Sequence, residues 1–400
     1  MGKVELLAPA GNLGKAKIAL MYGADAVYVG GKQFSLRARA SNFSITEIEE
    51  LVKFAHTRNK KVYVTMNIIP HDSDLNNLET YLKDLERIKV DAIIVSSLYI
   101  IRKAKELVPN LEVHLSTQKS TTNVKTINYY QNKGVSRVVL AREVTLDEMK
   151  YISQNTDVEL EVFIHGGMCS SYSGHCVLSN YMTNRDANRG GCAHSCRWNY
   201  SLVKNGEILP ENYNIGSKDM MAARYIPQLI DMNVASLKIE GRMKSAYYLA
   251  CVVRSYRMLI DEYYEKGKIT DEFFAFIIDE IKKAENRETS VGFYDGIPGV
   301  CGQLYDNRTE IPTQEYVAFV LEYNKDKQMA LVEQRNYLTV NDEIEVFGPN
   351  LKSQFIKVEQ MLDFETNQSL EVARHPLQKF WINMPFEVTY GDLIRLIKNK

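Results

Sequence analysis

From the N-terminus to about residue 265, apolar and polar positions alternate between two kinds of stretch. Short, nearly continuous apolar runs recur at 4–7, 26–29, 62–66, 92–95, 112–115, 137–140, 159–164 and 235–239. Their length and β-branched content predict strands. Between them, residues 12–22, 46–59, 74–88, 98–107, 123–133, 145–154 and 219–230 follow the helical period, and 244–265 follows the last run. Thr46 with Glu49 and Thr145 with Glu148 are helix-start signals. Eight strands, each followed by a helix, predict a (β/α)8 TIM-like barrel of class α/β. An open doubly wound sheet fits apolar strands too, but no Rossmann glycine fingerprint follows the first strand.

The pattern changes after Lys268. Residues 271–284 read as one more helix, leading into a glycine-punctuated loop. From residue 314 the helical period is lost, and runs at 316–321, 329–333, 343–347, 355–362, 380–384 and 386–389 predict a small all-β, barrel-like domain. The expected organisation is a barrel over 1–268 with an insertion at 165–218, a connecting helix and loop over 269–313, and the β domain over 314–400. The insertion contains YSLVKNGEIL, where Asn205-Gly206 marks a hairpin.

A barrel places its chemistry just after the strand ends. Those positions hold Gly30-Gly31, Asn67, Gln118, Arg142-Glu143, His165-Gly166-Gly167 and Glu240-Gly241-Arg242, all small or polar. Charge adds a bound: 49 Lys and Arg against 50 Asp and Glu give a net charge of −1, so any RNA contact relies on a local basic patch. The first residues lack a signal-peptide core and no run is long enough to span a bilayer, so the expected location is the cytoplasm, where cysteines stay reduced.

Four of the six cysteines lie within residues 161–198: Cys169, Cys176, Cys192 and Cys196, spaced C-x6-C-x15-C-x3-C. Clustered thiolates in a Gly- and Ser-rich loop call for a soft metal or an iron–sulfur cluster. Spacing alone leaves zinc and a cluster equally open, and His165, His175 and His194 are further donors. Neither a cysteine–histidine protease signature nor H-E-x-x-H is present.

The segments LLAPAGN at 6–12, FIHGGMCSSYSGHCVLSNY at 163–181, NRGGCAHSCRW at 188–198 and SLKIEGRMKS at 236–245 resemble the collagenase-like peptidases of unassigned catalytic type, peptidase family U32. The resemblance covers the whole chain and is greatest to members that hydroxylate tRNA. It implies oxygen-independent, prephenate-dependent hydroxylation of the tRNA wobble uridine to 5-hydroxyuridine. A collagenase-like peptidase with a structural metal is the alternative. The ligand set implied for a 4Fe–4S cluster is Cys169, Cys176, Cys192 and Cys196, with zinc as the other guest. Prephenate is the expected small-molecule co-substrate, tRNA the expected partner, and a partner protein or homo-oligomer is left open.

The candidate catalytic residues are Lys238, Glu240 and Arg242: the two cations suit a dicarboxylate or phosphate, and Glu240 suits orientation or general-base work. A stabilising ion pair at the barrel mouth is the competing role for them. Gln118, Arg142 and His165 are the candidate cofactor-binding residues. Arg37, Arg39, Arg185, Arg189 and Arg197, interleaved with Phe34, Phe43, Tyr172, Tyr181 and Trp198, fit either an RNA-gripping rim or a solvated loop. Cys251 reads as helix packing, and Cys301 has no assigned role.

Overall fold

The computed structural model describes residues 2–36, 42–284, 287–305 and 314–397. Arg37 and Arg39 lie outside them. Eight parallel strands close into a barrel: β1 (Glu5–Pro9), β2 (Ala26–Gly30), β3 (Lys61–Met66), β4 (Ala92–Val95), β5 (Glu112–Leu115), β6 (Arg137–Val139), β7 (Glu159–Gly166) and β8 (Ser236–Ile239). Closure comes from β8, which pairs with β1 (Leu7 opposite Lys238) and with β7 (Lys238 opposite Phe163). The barrel expectation therefore holds.

Helices α1 (Leu13–Met21), α2 (Ile45–His56), α3 (Leu78–Arg87), α4 (Leu98–Leu107), α5 (Val124–Gln131) and α6 (Leu146–Gln154) follow the first six strands. α7 (Leu178–Thr183) is a short helix among the cysteines, and α8 (Ile226–Asp231) precedes β8. α9 (Ala246–Lys266) starts at Ser245, whose side chain accepts from the Tyr248 amide, and ends at left-handed Gly267. α10 (Asp271–Lys282) packs on it. The Thr145–Glu148 capping box forms at α6, whereas the box at α2 is Ser44 with Glu47, two residues before the expected one.

The barrel interior is partly ionic. Leu7, Ala26, Tyr28, Tyr63, Ala92 and Ile94 form an apolar layer. Beside it, Glu161 accepts from Lys238 Nζ at 2.6 Å, and Arg137 reaches Glu5 at 2.6 Å and Glu161 at 3.5 Å. Tyr63 donates to Glu5 at 2.6 Å. Burial pushes the Glu161 carboxyl up, but Lys238 and Arg137 outweigh it and hold it below the usual carboxylate range.

One helix expectation fails: Asp219–Met221 is a strand, antiparallel to the end of β7 (Met220 opposite Gly166) and parallel to Thr289–Ser290. Backbone pairing with β7 overrides the helical pattern, and only the later part of 219–230 remains helical, as α8. The segment after α10 is thus part of the barrel's sheet rather than a simple connector. The Tyr200–Lys204 and Glu207–Tyr213 hairpin forms as expected, with Asn205 and Gly206 both at positive φ.

The C-terminal region is a seven-stranded antiparallel sheet in the spatial order 354–357, 343–347, 393–397, 314–324, 329–334, 379–383, 361–363. Its two outer strands, Gln354–Lys357 and Met361–Asp363, are consecutive in the chain with three residues between them, so the sheet has to curl until its edges approach. Two expectations are corrected here. Residues 355–362 divide between these two strands, and 386–389 form the loop leading to Leu393–Ile397, an unforeseen strand. In that loop Asp392 accepts from the Thr389 amide at 2.8 Å, which turns the chain.

Candidate active site at the barrel mouth

The cysteine segment leaves β7 at the C-terminal end of the barrel and lies across the loops that follow several strands. After β3, Asp74 holds the Arg189 guanidinium at 2.8 and 2.9 Å, and the Ile69 amide donates to the Asn188 carbonyl at 3.0 Å. After β5, the Ser120 hydroxyl donates to the Ser173 carbonyl, and Gly174 lies so close to the Gln118 backbone that a Cβ would collide. After β6, Glu143 accepts from the Ser173 amide at 2.9 Å. After β8, Glu240 accepts from the Gly167 amide at 3.0 Å. A paired, two-toothed contact such as Arg189–Asp74 fixes orientation as well as position. The segment therefore has a defined seat.

All four cysteines are free thiols; Cys169 is exposed and the other three are half-buried. Burial pushes the Cys196 thiol up; a hydrogen bond with Ser170 and the Arg197 charge oppose this, while Cys192 and Cys176 add to it. Three of the sulfurs thus share one electrostatic neighbourhood. The Asn188 side chain donates to the Cys176 carbonyl at 2.9 Å, and Arg185 to the Cys192 carbonyl at 3.4 Å, so the backbone at both positions is held. Among the described residues no three His, Cys, Asp or Glu side chains already stand in ligating positions. In donor chemistry the set fits a thiolate-bound metal or cluster.

Lys238 points into the barrel, as strand alternation requires, with its ammonium 4.5 Å from the Tyr28 ring centre and committed to Glu161. This is the stabilising ion pair weighed for it, although its partner is Glu161 and not Glu240. Burial lowers the Lys238 ammonium below its ordinary value. Arg242 is buried and donates to Ser35 at 2.8 Å and Asn42 at 2.9 Å. Gly30 makes room for its guanidinium, since a Cβ there would overlap it. Arg142 lies half-buried, 4.0 Å over the Phe163 ring.

His165 takes a different course. Ile164 is the extra residue of a β-bulge, because Lys238 pairs with Phe163 and Ile239 with His165. The bulge turns His165 to the side of Ile239, against α9, where its ring meets Tyr248 and Tyr256. The structure does not bring it to the mouth with Gln118 and Arg142. Burial, with Lys244 nearby, pushes its imidazole down to about 3. From about pH 6.5 down to about 3 the unfolded chain therefore binds a proton that the native state refuses, and stability falls with pH through that window. His165→Phe should show a smaller drop in thermal stability between neutral pH and about pH 5 than the parent.

Sequence reasoning missed Asp219. Its carboxylate, 7% exposed, meets Arg197 at 3.2 Å, Arg287 at 3.5 Å and Lys244 at 3.7 Å. Burial raises it above the usual range, although Arg197 and Lys244 pull it down. Its only signal was an acidic residue in a segment that looked helical.

The family model for peptidase family U32 matches residues 11–303, and that for the U32 C-terminal domain matches 312–395. The chain belongs to peptidase family U32. This U32 chain is 44% identical to tRNA hydroxylation protein P1 of Bacillus subtilis, covering 98% of this chain and 94% of the relative. It is 40% identical to a 23S rRNA 5-hydroxycytidine synthase of Escherichia coli, over 66% of this chain and 40% of that one. A collagenase of Porphyromonas gingivalis is 29% identical over 89% of each. U32 membership thus spans RNA-hydroxylating and collagenase relatives. No helix among the described residues is long and apolar enough to cross a membrane.

Proposed function

We propose that the protein hydroxylates a pyrimidine of RNA, namely the tRNA wobble uridine, at the barrel mouth. The observation that carries this reading is the cysteine segment seated on the loops after β3, β5, β6 and β8, where a barrel places its chemistry. The RNA-hydroxylating relatives support it over most of the chain's length. Cys169, Cys176, Cys192 and Cys196 would hold a 4Fe–4S cluster, which supplies one-electron chemistry when bound.

The chain's own residues bind and orient. Arg142, 4.0 Å over the Phe163 ring, is the cation suited to a carboxylate of a co-substrate such as prephenate. Lys238 and Glu161 form the charged floor beneath it, and Glu240 fixes the entry to the cysteine segment. Exposed Tyr172, Tyr181 and Trp198 offer flat faces for unstacked bases.

The collagenase relative gives hydrolysis a place as a second reading. A cysteine protease needs a histidine beside its thiolate; His165 is turned away toward α9, which leaves His175 and His194 of the cysteine segment itself for that role. Mass analysis of tRNA from a strain lacking the gene decides between them. Loss of the hydroxylated uridine, restored by the wild-type gene and not by a Cys176→Ala copy, is the expected result. Unchanged tRNA together with collagen cleavage by the pure protein would overturn it.

A further inference from the structure

The Arg197 guanidinium occupies an unusual place in the cysteine segment. It directly follows Cys196, the last of the four cysteines, and one of its nitrogens lies 3.4 Å from the carbonyl of Met168, which directly precedes Cys169, the first. The same nitrogen donates to Asp219 Oδ1 at 3.2 Å. A second contact fixes the far side of the turn, where the Ile215 amide donates to the Cys196 carbonyl at 3.0 Å.

We propose that Arg197, held by Asp219, is the positioning residue that closes the cysteine segment on itself and sets Cys169 beside Cys196 for a shared metal centre. The proposal rests on reading the cysteines as one centre. Without such a closure, a long loop pays the entropy of bringing its ends together at the moment the metal binds. With it, that cost is met by the fold. Asp219 suits the task because it belongs to a strand bound on both sides, by β7 and by Thr289–Ser290, so its carboxylate cannot follow a loose loop. Lys244 and Arg287 approach the same carboxylate from the loop after β8 and from the segment after α10. Neither bonds the cysteine segment in these contacts, so they serve as controls.

The test uses full-length, metal-free protein carrying Cys176→Ala, Cys192→Ala and Cys301→Ala, which leaves Cys169 and Cys196 as the accessible thiols. Dibromobimane becomes fluorescent when it bridges two neighbouring thiols, so it reports their proximity without any metal. Bridging is expected in this parent and should fall roughly tenfold with Asp219→Asn, the lower end of what supporting residues around metal sites contribute. Arg197→Lys, which keeps the charge but loses the fork, should give an intermediate loss. Lys244→Ala and Arg287→Ala should bridge as the parent does. Folding of each variant is checked by far-ultraviolet circular dichroism and its thermal transition, which report the helices of the barrel as well as the C-terminal sheet. No bridging in the parent, or equal bridging in folded Asp219→Asn, would overturn the proposal. Iron and sulfide content of the anaerobically purified wild type is read separately. Bridging without iron would sink the cluster reading and leave the closure standing; iron with Asp219-independent bridging would do the reverse.

Discussion

Cys192→Ala protein, purified without oxygen, is expected to lose its iron and to restore no tRNA hydroxylation to a strain lacking the gene. The local backbone should survive the change. The Cys192 carbonyl is held by Arg185, and the next amide, Ala193, donates to the Ser179 hydroxyl at 3.0 Å. Alanine therefore removes a sulfur and little else. Losing even a residue that supports a metal ligand costs about 10–100-fold in affinity or activity, and losing the ligand should exceed that. Cys251→Ala makes the contrast. That thiol is buried in α9, with its sulfur 3.9 Å from Arg395, and burial pushes it up to about 11. Its loss should affect stability and leave iron content unchanged. Full iron in Cys192→Ala, by metal and sulfide analysis, would remove Cys192 from the ligand set.

Arg395→Ala is expected to destabilise the junction of the two domains by about 3–5 kcal/mol, the cost of breaking a buried pair by removing one partner. Arg395 is fully buried between Glu345, at 2.5 Å, and Glu280, at 3.0 Å, and those carboxylates are 1% and 5% exposed. Burial favours a neutral Glu345, yet Arg395 outweighs it and holds the carboxyl below its ordinary value. Lys283 and Arg254 also reach Glu280 but do not replace the fork. Apolar contacts flank the cluster: Tyr247 stacks on Tyr316 at 5.3 Å, and Arg395 lies 4.5 Å over Phe347. The triple variant Arg395→Met, Glu345→Leu, Glu280→Leu should recover part of the loss, because neither carboxylate is then buried without Arg395, although Arg254 gives up its contact with Glu280. Urea unfolding followed by far-ultraviolet circular dichroism checks both. A change under about 1 kcal/mol in Arg395→Ala would show that the pair stabilises no more than surface pairs do.

What the sequence disclosed follows from which forces are local. The apolar runs marked all eight barrel strands to within a residue or two, because a strand buried on both faces is mostly apolar, with its few charges paired inside. Asn205-Gly206 gave the hairpin because few residue pairs accept its two positive φ angles. Lys238 could be placed inside by alternation, but its partner Glu161 stands 77 residues earlier in the chain. The turning of His165 was hidden because a one-residue bulge leaves no mark in composition. Strand Leu393–Ile397 was missed since Arg395 looks like a surface residue until Glu280 and Glu345 close around it. Asp219 was hidden for the same reason: its three cations come from three separate segments.

The way the cysteine segment is seated also fixes an order of events during synthesis. Cys169 to Cys196 leave the ribosome before Asp219, Glu240 and Arg287, and before β8, which closes the barrel. Chains emerge N-terminus first, so for an interval the thiols exist without the residues that hold them. A metal met in that interval would find a floppy set of sulfurs open to wrong pairings and to oxidation. Under the proposed reading of the cysteines as one metal centre, loading therefore belongs after barrel closure, by delivery to an already folded acceptor.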